Sequence, residues 1–135
     1  MAIRFHPSPG SILICDFKGM IMPEMQKRRP VIVISPRYRR QPSGLCTVVP
    51  LSTTPPSPQE LFHTKLYIDP PMPKPYDSEY HWVKADMIYR VSFDRLHLFH
   101  NGKTPDGKRQ YIYPELTEKQ LEEVRQCVKH ALGFC

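Results

Sequence analysis

The chain has 135 residues, 40% hydrophobic and 24% charged, with a formal net charge of +6 and an isoelectric point near 9.3. That length suits one domain, residues 1–135, with one modest core. The cation excess points to a polyanion, or to an acidic protein that competes with one.

No apolar run approaches the roughly 20 residues that cross a bilayer, so no membrane contact is expected. Met1 to Pro7 holds no apolar signal-peptide core, which implies the cytosol. Cys15, Cys46, Cys127 and Cys135 form no C-x-x-C pair, and the histidines are scattered. Neither a metal site nor a cofactor is expected.

Residues 1–8 read as an irregular lead-in, because Pro7 and Pro9 oppose regular structure. Gly10 makes a turn, and Ser11 to Phe17 is the first, mostly buried strand. Lys18 to Gln26 has no clean period and is a loop, either a plain connection or a functional loop on a rigid scaffold. Lys27, Arg28 and Arg29 then run straight into Pro30 and a β-branched run that ends at Ser35, the second strand. Pro30 biases Arg29 towards extended backbone, which holds a guanidinium at the lip of a rigid strand. Such a fork can grip a phosphate; charge runs of this kind are also commonly just solvated.

Arg37, Tyr38, Arg39 and Arg40 lie in the polar connection that follows. Tyr38 could stack on a base or anchor the loop from beneath. Leu45 to Leu51 is the third strand, and Ser52, Thr53 and Thr54 end it, able to donate to a phosphate or to cap a turn. Phe62 to Ile68 alternates as a fourth strand between two proline-rich loops. Tyr80 to Tyr89 is the fifth, with a break near Ala85. Strict alternation puts Trp82, Lys84 and Asp86 on one face and Val83 and Ala85 on the other. A cation and a carboxylate so placed suit acid/base work or a surface ion pair.

Val91 to Phe99 is a short helix or strand, Asn101 to Gly107 a hairpin loop, and Arg109 to Tyr113 its far strand. The last element is a helix over 117–132: Thr117 and Gln120 form a capping box, Leu116 and Leu121 a staple, and Gly133 the stop. Leu121, Val124, Val128 and Ala131 or Leu132 make its apolar stripe. The sum is a mainly β chain with a C-terminal helix, a small bent antiparallel sheet or barrel.

Three stretches resemble the boxes of one family. Pro9 to Phe17 is similar to its opening turn and strand, Arg28 to Ser35 to its R-P-hydrophobic strand, and Val48 to Thr53 to its third-strand box. The family is the PemK/MazF toxins of type II toxin–antitoxin systems, and the likeness covers residues 9 to 132. It implies a small SH3-like antiparallel barrel, as in PemK, MazF and CcdB, acting as a homodimer. It also implies a metal-independent endoribonuclease (an mRNA interferase) that cuts single-stranded RNA and is held by a cognate acidic antitoxin. The alternative on the same fold is a non-catalytic binder, a CcdB-like gyrase poison or an RNA- or protein-binding barrel.

Carried over by position, the family's strand-two arginine falls on Arg29 and its strand-three hydroxyls on Ser52 and Thr53. Its later R-x-D pair falls on Lys84 and Asp86, with lysine for arginine. The position of a PemK histidine is near Pro23, beside Glu24, and Arg28 stands where a glycine is common. The expected roles are Asp86 as base, Arg29 on the phosphate, Lys84 as acid or second clamp, and Ser52 and Thr53 as positioning groups. A second assignment gives Arg29 most of the work, oriented by Ser52 or Thr53. Lys27, Arg28, Arg37, Tyr38 and Arg39 are the expected RNA-binding set.

Overall fold

The computed structural model describes residues 2–37 and 43–134. Strands β1 (Ile12–Cys15), β2 (Arg29–Val33) and β3 (Leu45–Ser52) form an antiparallel meander with Ile12 opposite Ile32 and Val31 opposite Pro50. Alternate residues feed two separate cores. Ile12, Ile14, Ile32, Val49 and Leu51 enter one, while Leu13, Cys15, Val31, Val33, Cys46 and Val48 enter the other. That is why these strands are continuously apolar: both faces of the central sheet are covered.

Strand β4 (His63–Tyr67) pairs with β5 (Tyr80–Lys84), which pairs with the end of β3 through Leu51 and Val83. The chain turns at Ala85 and Asp86, where the break was expected, and β6 (Tyr89–Ser92) pairs with the beginning of β3. A 3-10 turn at Phe93–Arg95 leads to β7 (Leu96–His97) on β1. The segment expected as either helix or strand is therefore both in turn. The seven strands run β4-β5-β3-β2-β1-β7, with β6 also on β3. Among the described residues their ladder is not a closed ring; the 3-10 turn carries the chain from the β3 edge to the β1 edge and joins them covalently. With β8 (Phe99–Lys103) and β9 (Arg109–Ile112), a separate hairpin, the architecture is the expected mainly β one with a C-terminal helix.

Helix α1 (Glu118–Leu132) has both bonds of the capping box, Gln120 N–H to Thr117 Oγ1 and Thr117 N–H to Gln120 Oε1, each 3.1 Å. Gln120 Nε2 also donates to the Tyr67 carbonyl at 2.8 Å, tying the helix start to β4. Gly133, at φ 78°, closes the helix with a Schellman pair: its N–H reaches His130 O and that of Phe134 reaches Lys129 O. Along the expected stripe Val124 is buried and Leu121, Val128 and Ala131 are half-buried; of the two alternatives at its end Leu132 is 55% exposed, and Cys127 joins the buried side. The lead-in also does more than fill space. Ile3 is buried, its N–H bonds Leu96 O at 3.0 Å, and Ala2 bridges to His97. Among the described residues no helix is long and apolar enough to cross a membrane.

Candidate active site

Chemistry gathers where the strands run out. Arg29 is the first residue of β2, opposite Cys15 of β1. Continuing the β2–β3 register two residues beyond Val31–Pro50 sets it opposite Ser52, the last residue of β3. Ser52 faces Trp82, and Trp82 faces Lys65. Directly opposed residues of antiparallel strands share a face, so Arg29, Ser52, Trp82 and Lys65 make one cross-strand row. At about 4.8 Å per strand the row spans roughly 14 Å. The neighbouring row on that face pairs Lys84 with His63.

Beside Arg29 opens a cleft of about 270 Å³ lined by Lys27 to Pro30, Leu51 to Thr54, Pro75, Tyr76 and His81. Lys27 and Arg28 are exposed, and Arg29 is half-buried. Among the described residues Arg29 Nε is buried with no hydrogen-bond partner. A donor left so costs about 1–3 kcal/mol unless something accepts from it. Ser52 Oγ accepts from the Thr54 N–H at 3.1 Å, the turn-capping use, which leaves its own O–H free to donate. His81 is buried, and Nε2 donates to Ser78 O at 3.1 Å, pinning the second proline-rich loop beneath the cleft. Burial holds the imidazole below its usual 6.5.

Lys84 and Asp86 do not line the cleft; they stand beside it. Burial pushes the Lys84 ammonium below its usual value, Asp86 opposes that shift, and Arg29 reinforces it. Lys84 therefore feels both the guanidinium and the carboxylate. Asp86 is exposed, in the turn after β5, and its Oδ1 lies 3.9 Å from His63 Nε2. His63 Nδ1 accepts the Glu60 N–H at 3.0 Å, so the neutral ring carries its proton on Nε2, facing Asp86. Burial lowers the pKa of His63, with Asp86 acting against it.

Of the expected site residues, the fold brings Arg29, Ser52, Thr53, Lys27 and Arg28 to the cleft, and Lys84 and Asp86 to its flank. Arg37 goes elsewhere: Nε donates to His6 O at 2.9 Å and Nη2 to Ser8 Oγ at 3.3 Å, bracing the lead-in. Tyr38 and Arg39 lie outside the described residues. Glu24 accepts the Ile21 N–H at 2.8 Å and caps its own turn. His63, Tyr76 and His81 are not among the residues to which the sequence points. Only the alternation of β4 hinted at His63, and nothing local showed that it would pair with Lys84. The β1–β2 loop is tied down by Arg95 to the carbonyls of Asp16 and Lys18, and by Met25 N–H to Tyr89 Oη.

Over residues 8–132 the sequence matches the PemK-like, MazF-like toxins of type II toxin–antitoxin systems. YifN, an uncharacterized protein of Escherichia coli (strain K12), is 32% identical, over 71% of this chain and 75% of its own. An endoribonuclease from a mycobacterial species, solved with its cognate antitoxin, superposes with a TM-score of 0.65 at 19% identity, covering 96% of this chain and 97% of that one. MazF from Deinococcus radiodurans gives 0.63 at 19% identity, over 96% and 99%. At that identity the two structures speak for a shared fold, while the match along the sequence speaks for descent: the chain belongs to the PemK-like, MazF-like toxin family of type II toxin–antitoxin systems.

Proposed function

We propose that this toxin is a metal-independent endoribonuclease that cuts single-stranded mRNA at particular sequences through the RNA's own 2′-OH. The observation that carries the reading is Arg29: a strand-end guanidinium with an unspent buried N–H, in a cleft edged by Lys27, Arg28, Ser52 and Thr53. A phosphate accepts what Arg29 offers. The Asp86 carboxylate takes the 2′-OH proton, and the 2′-oxygen attacks phosphorus. The P–O5′ bond breaks as Lys84 gives the departing oxygen a proton. The products are a 2′,3′-cyclic phosphate and a 5′-OH. Arg29 stabilises the doubly charged phosphorane, and Ser52 and Thr53 position it. His63 Nε2–H, facing Asp86, orients the base from behind. A lowered Lys84 pKa suits a proton donor, because it brings the ammonium nearer to working pH. Trp82, beside Ser52, offers a ring on which a neighbouring base can stack.

The same reading supplies the partners. A basic cleft of this kind is closed by an acidic antitoxin, as the mycobacterial endoribonuclease is solved with its cognate antitoxin. The working unit is a homodimer. The test is cleavage of a long single-stranded RNA in EDTA. Wild type cuts at a few sites and leaves cyclic phosphate ends, and Arg29→Ala loses at least about 10²-fold, the scale of one lost electrostatic stabiliser. RNA left intact at micromolar protein, with DNA damage on induction in cells, would replace this reading with a gyrase poison.

A further inference from the structure

The β8–β9 hairpin stands apart from the seven-stranded sheet and carries an unusual charge arrangement. Lys103 lies directly opposite Arg109, and both are exposed. Opposed like charges work against a hairpin. Lys108 adds a third cation, and the one acid in the turn, Asp106, is held by the Thr104 hydroxyl. The tip is nonetheless a built turn, with Thr104 N–H to Lys108 O at 2.8 Å and Gly107 N–H to Thr104 O at 2.9 Å. The cations are thus presented by a formed turn whose one carboxylate, Asp106, accepts from the Thr104 hydroxyl.

Their face is shared with an aromatic step. Arg109 and Tyr111 are two apart on β9, and Tyr111 is opposite His100, their rings 5.7 Å apart at 60°. The other face holds Phe99, fully buried, and Ile112, half-buried, which anchor the hairpin on the core. Phe99 meets Tyr76 edge-on at 6.0 Å, and Tyr76 lines the cleft. The hairpin is therefore rooted at the cleft wall.

We propose that the outer face of this hairpin, Lys103, Arg109, Tyr111 and His100, is a second contact for single-stranded RNA, holding the strand that flanks the cleft. Cations that grip phosphates beside a ring that stacks a base are the general means of holding a single strand. An acidic peptide would use the cations and leave Tyr111 idle. The inference rests on the endoribonuclease reading above and extends it to a length-dependent substrate grip.

The test uses 2′-O-methyl RNA, which lacks the nucleophile, in a short form of about 6 nucleotides and a long form of about 16. Binding is followed by fluorescence anisotropy with the full chain. For the long strand, Lys103→Gln with Arg109→Gln weakens binding about tenfold and makes the salt slope shallower by about 1.4. Tyr111→Ala separately weakens it at least about fivefold. The short strand, which fills only the cleft, binds all three proteins alike, and Arg29→Ala weakens both strands. Long-strand binding untouched by the hairpin variants overturns the proposal, and if Arg29→Ala still matters the cleft reading stands. Equal losses for short and long strands overturn it too. So does a loss confined to a polyglutamate peptide, which would assign the face to an acidic protein. Failure of wild type to bind either strand removes both readings.

Discussion

If the cleft binds RNA, its salt response is set by four cations: Lys27, Arg28 and Arg29 in the lining and Lys84 at the flank. Each phosphate neutralised on a single strand contributes about −0.7 to the slope of log K against log salt, so four give about −2.8. Raising KCl from about 50 to about 200 mM then weakens binding about 50-fold. Lys27→Gln with Arg28→Gln removes two contacts, halves the slope to about −1.4, and cuts the fall to about sevenfold. Both side chains are exposed, so the double variant folds as wild type does. Arg37→Gln is the internal control, because that guanidinium is spent on His6 O and Ser8 Oγ. Anisotropy of the short 2′-O-methyl strand, titrated at several salt concentrations, reads all three slopes. The reasoning is refuted by a flat wild-type slope, by a Lys27/Arg28 variant that keeps the full slope, or by an Arg37 variant that loses part of it.

Three further outcomes follow from the packing. Gly10 has φ +92°, and an added Cβ would sit an ordinary 3.5 Å from Leu121, so the cost of Gly10→Ala is backbone strain. Strain of about 1–2 kcal/mol, partly offset in the unfolded chain, lowers Tm by roughly 3–5 °C; a Tm at or above wild type by calorimetry contradicts this. Burial pushes the Cys15 thiol up to about 12 and Cys46 to about 11, and raises Cys127. Iodoacetamide at about pH 8 should therefore leave all three unmodified in the native protein and label them in guanidinium, as read by peptide mass spectrometry. Burial keeps His81 below its usual 6.5, so below that pH the unfolded chain binds the extra proton. Its contribution to stability is intact above about 6.5 and is lost as pH falls towards the folded value, by up to about 1.4 kcal/mol per pH unit. Urea midpoints that do not drop between about pH 7 and pH 5.5 would contradict the burial.

What was legible in the sequence was local. Thr117 and Gln120 meet within one turn of helix, and Gly133 needs only its own φ, so both ends of α1 could be read from neighbours. The break near Ala85 falls where the turn at Ala85 and Asp86 is, although Met87, Ile88 and Tyr89 carry the apolar character on past it. What was not legible depends on partners far along the chain. Leu132 continues a helical stripe, yet nothing local says that it stays exposed while Ala131 beside it is half-buried. Prolines in the lead-in do oppose a regular strand, but Ile3 still finds Leu96 and becomes core. Arg37 looked like another cation of a basic surface because its acceptors, His6 O and Ser8 Oγ, lie on the other side of β1 and β2 in the sequence.

The placement of the site follows from the same pattern that made the strands readable. Strands β1 and β2 and residues 48–51 of β3 are covered on both faces, so a cation or a hydroxyl in their middle would be stranded without solvent or partner. Along that doubly covered part, polar chemistry stands where a strand begins or stops, while Thr47 and Lys65 sit on stretches that solvent still reaches. Arg29 opens β2, Ser52 closes β3 and Lys84 closes β5. The antiparallel register sets Arg29 and Ser52 in one row and leaves Lys84 close enough for the guanidinium to act on it. Apolar strand interiors and polar strand ends are thus one design: the first fixes the register, and the register decides which polar ends meet. A one-residue slip of β3 against β2 would turn Ser52 away from Arg29 and move Val48 out of its own core into the one where Val49 now packs. Selection for two well-packed cores therefore also holds Arg29 and Ser52 in one row.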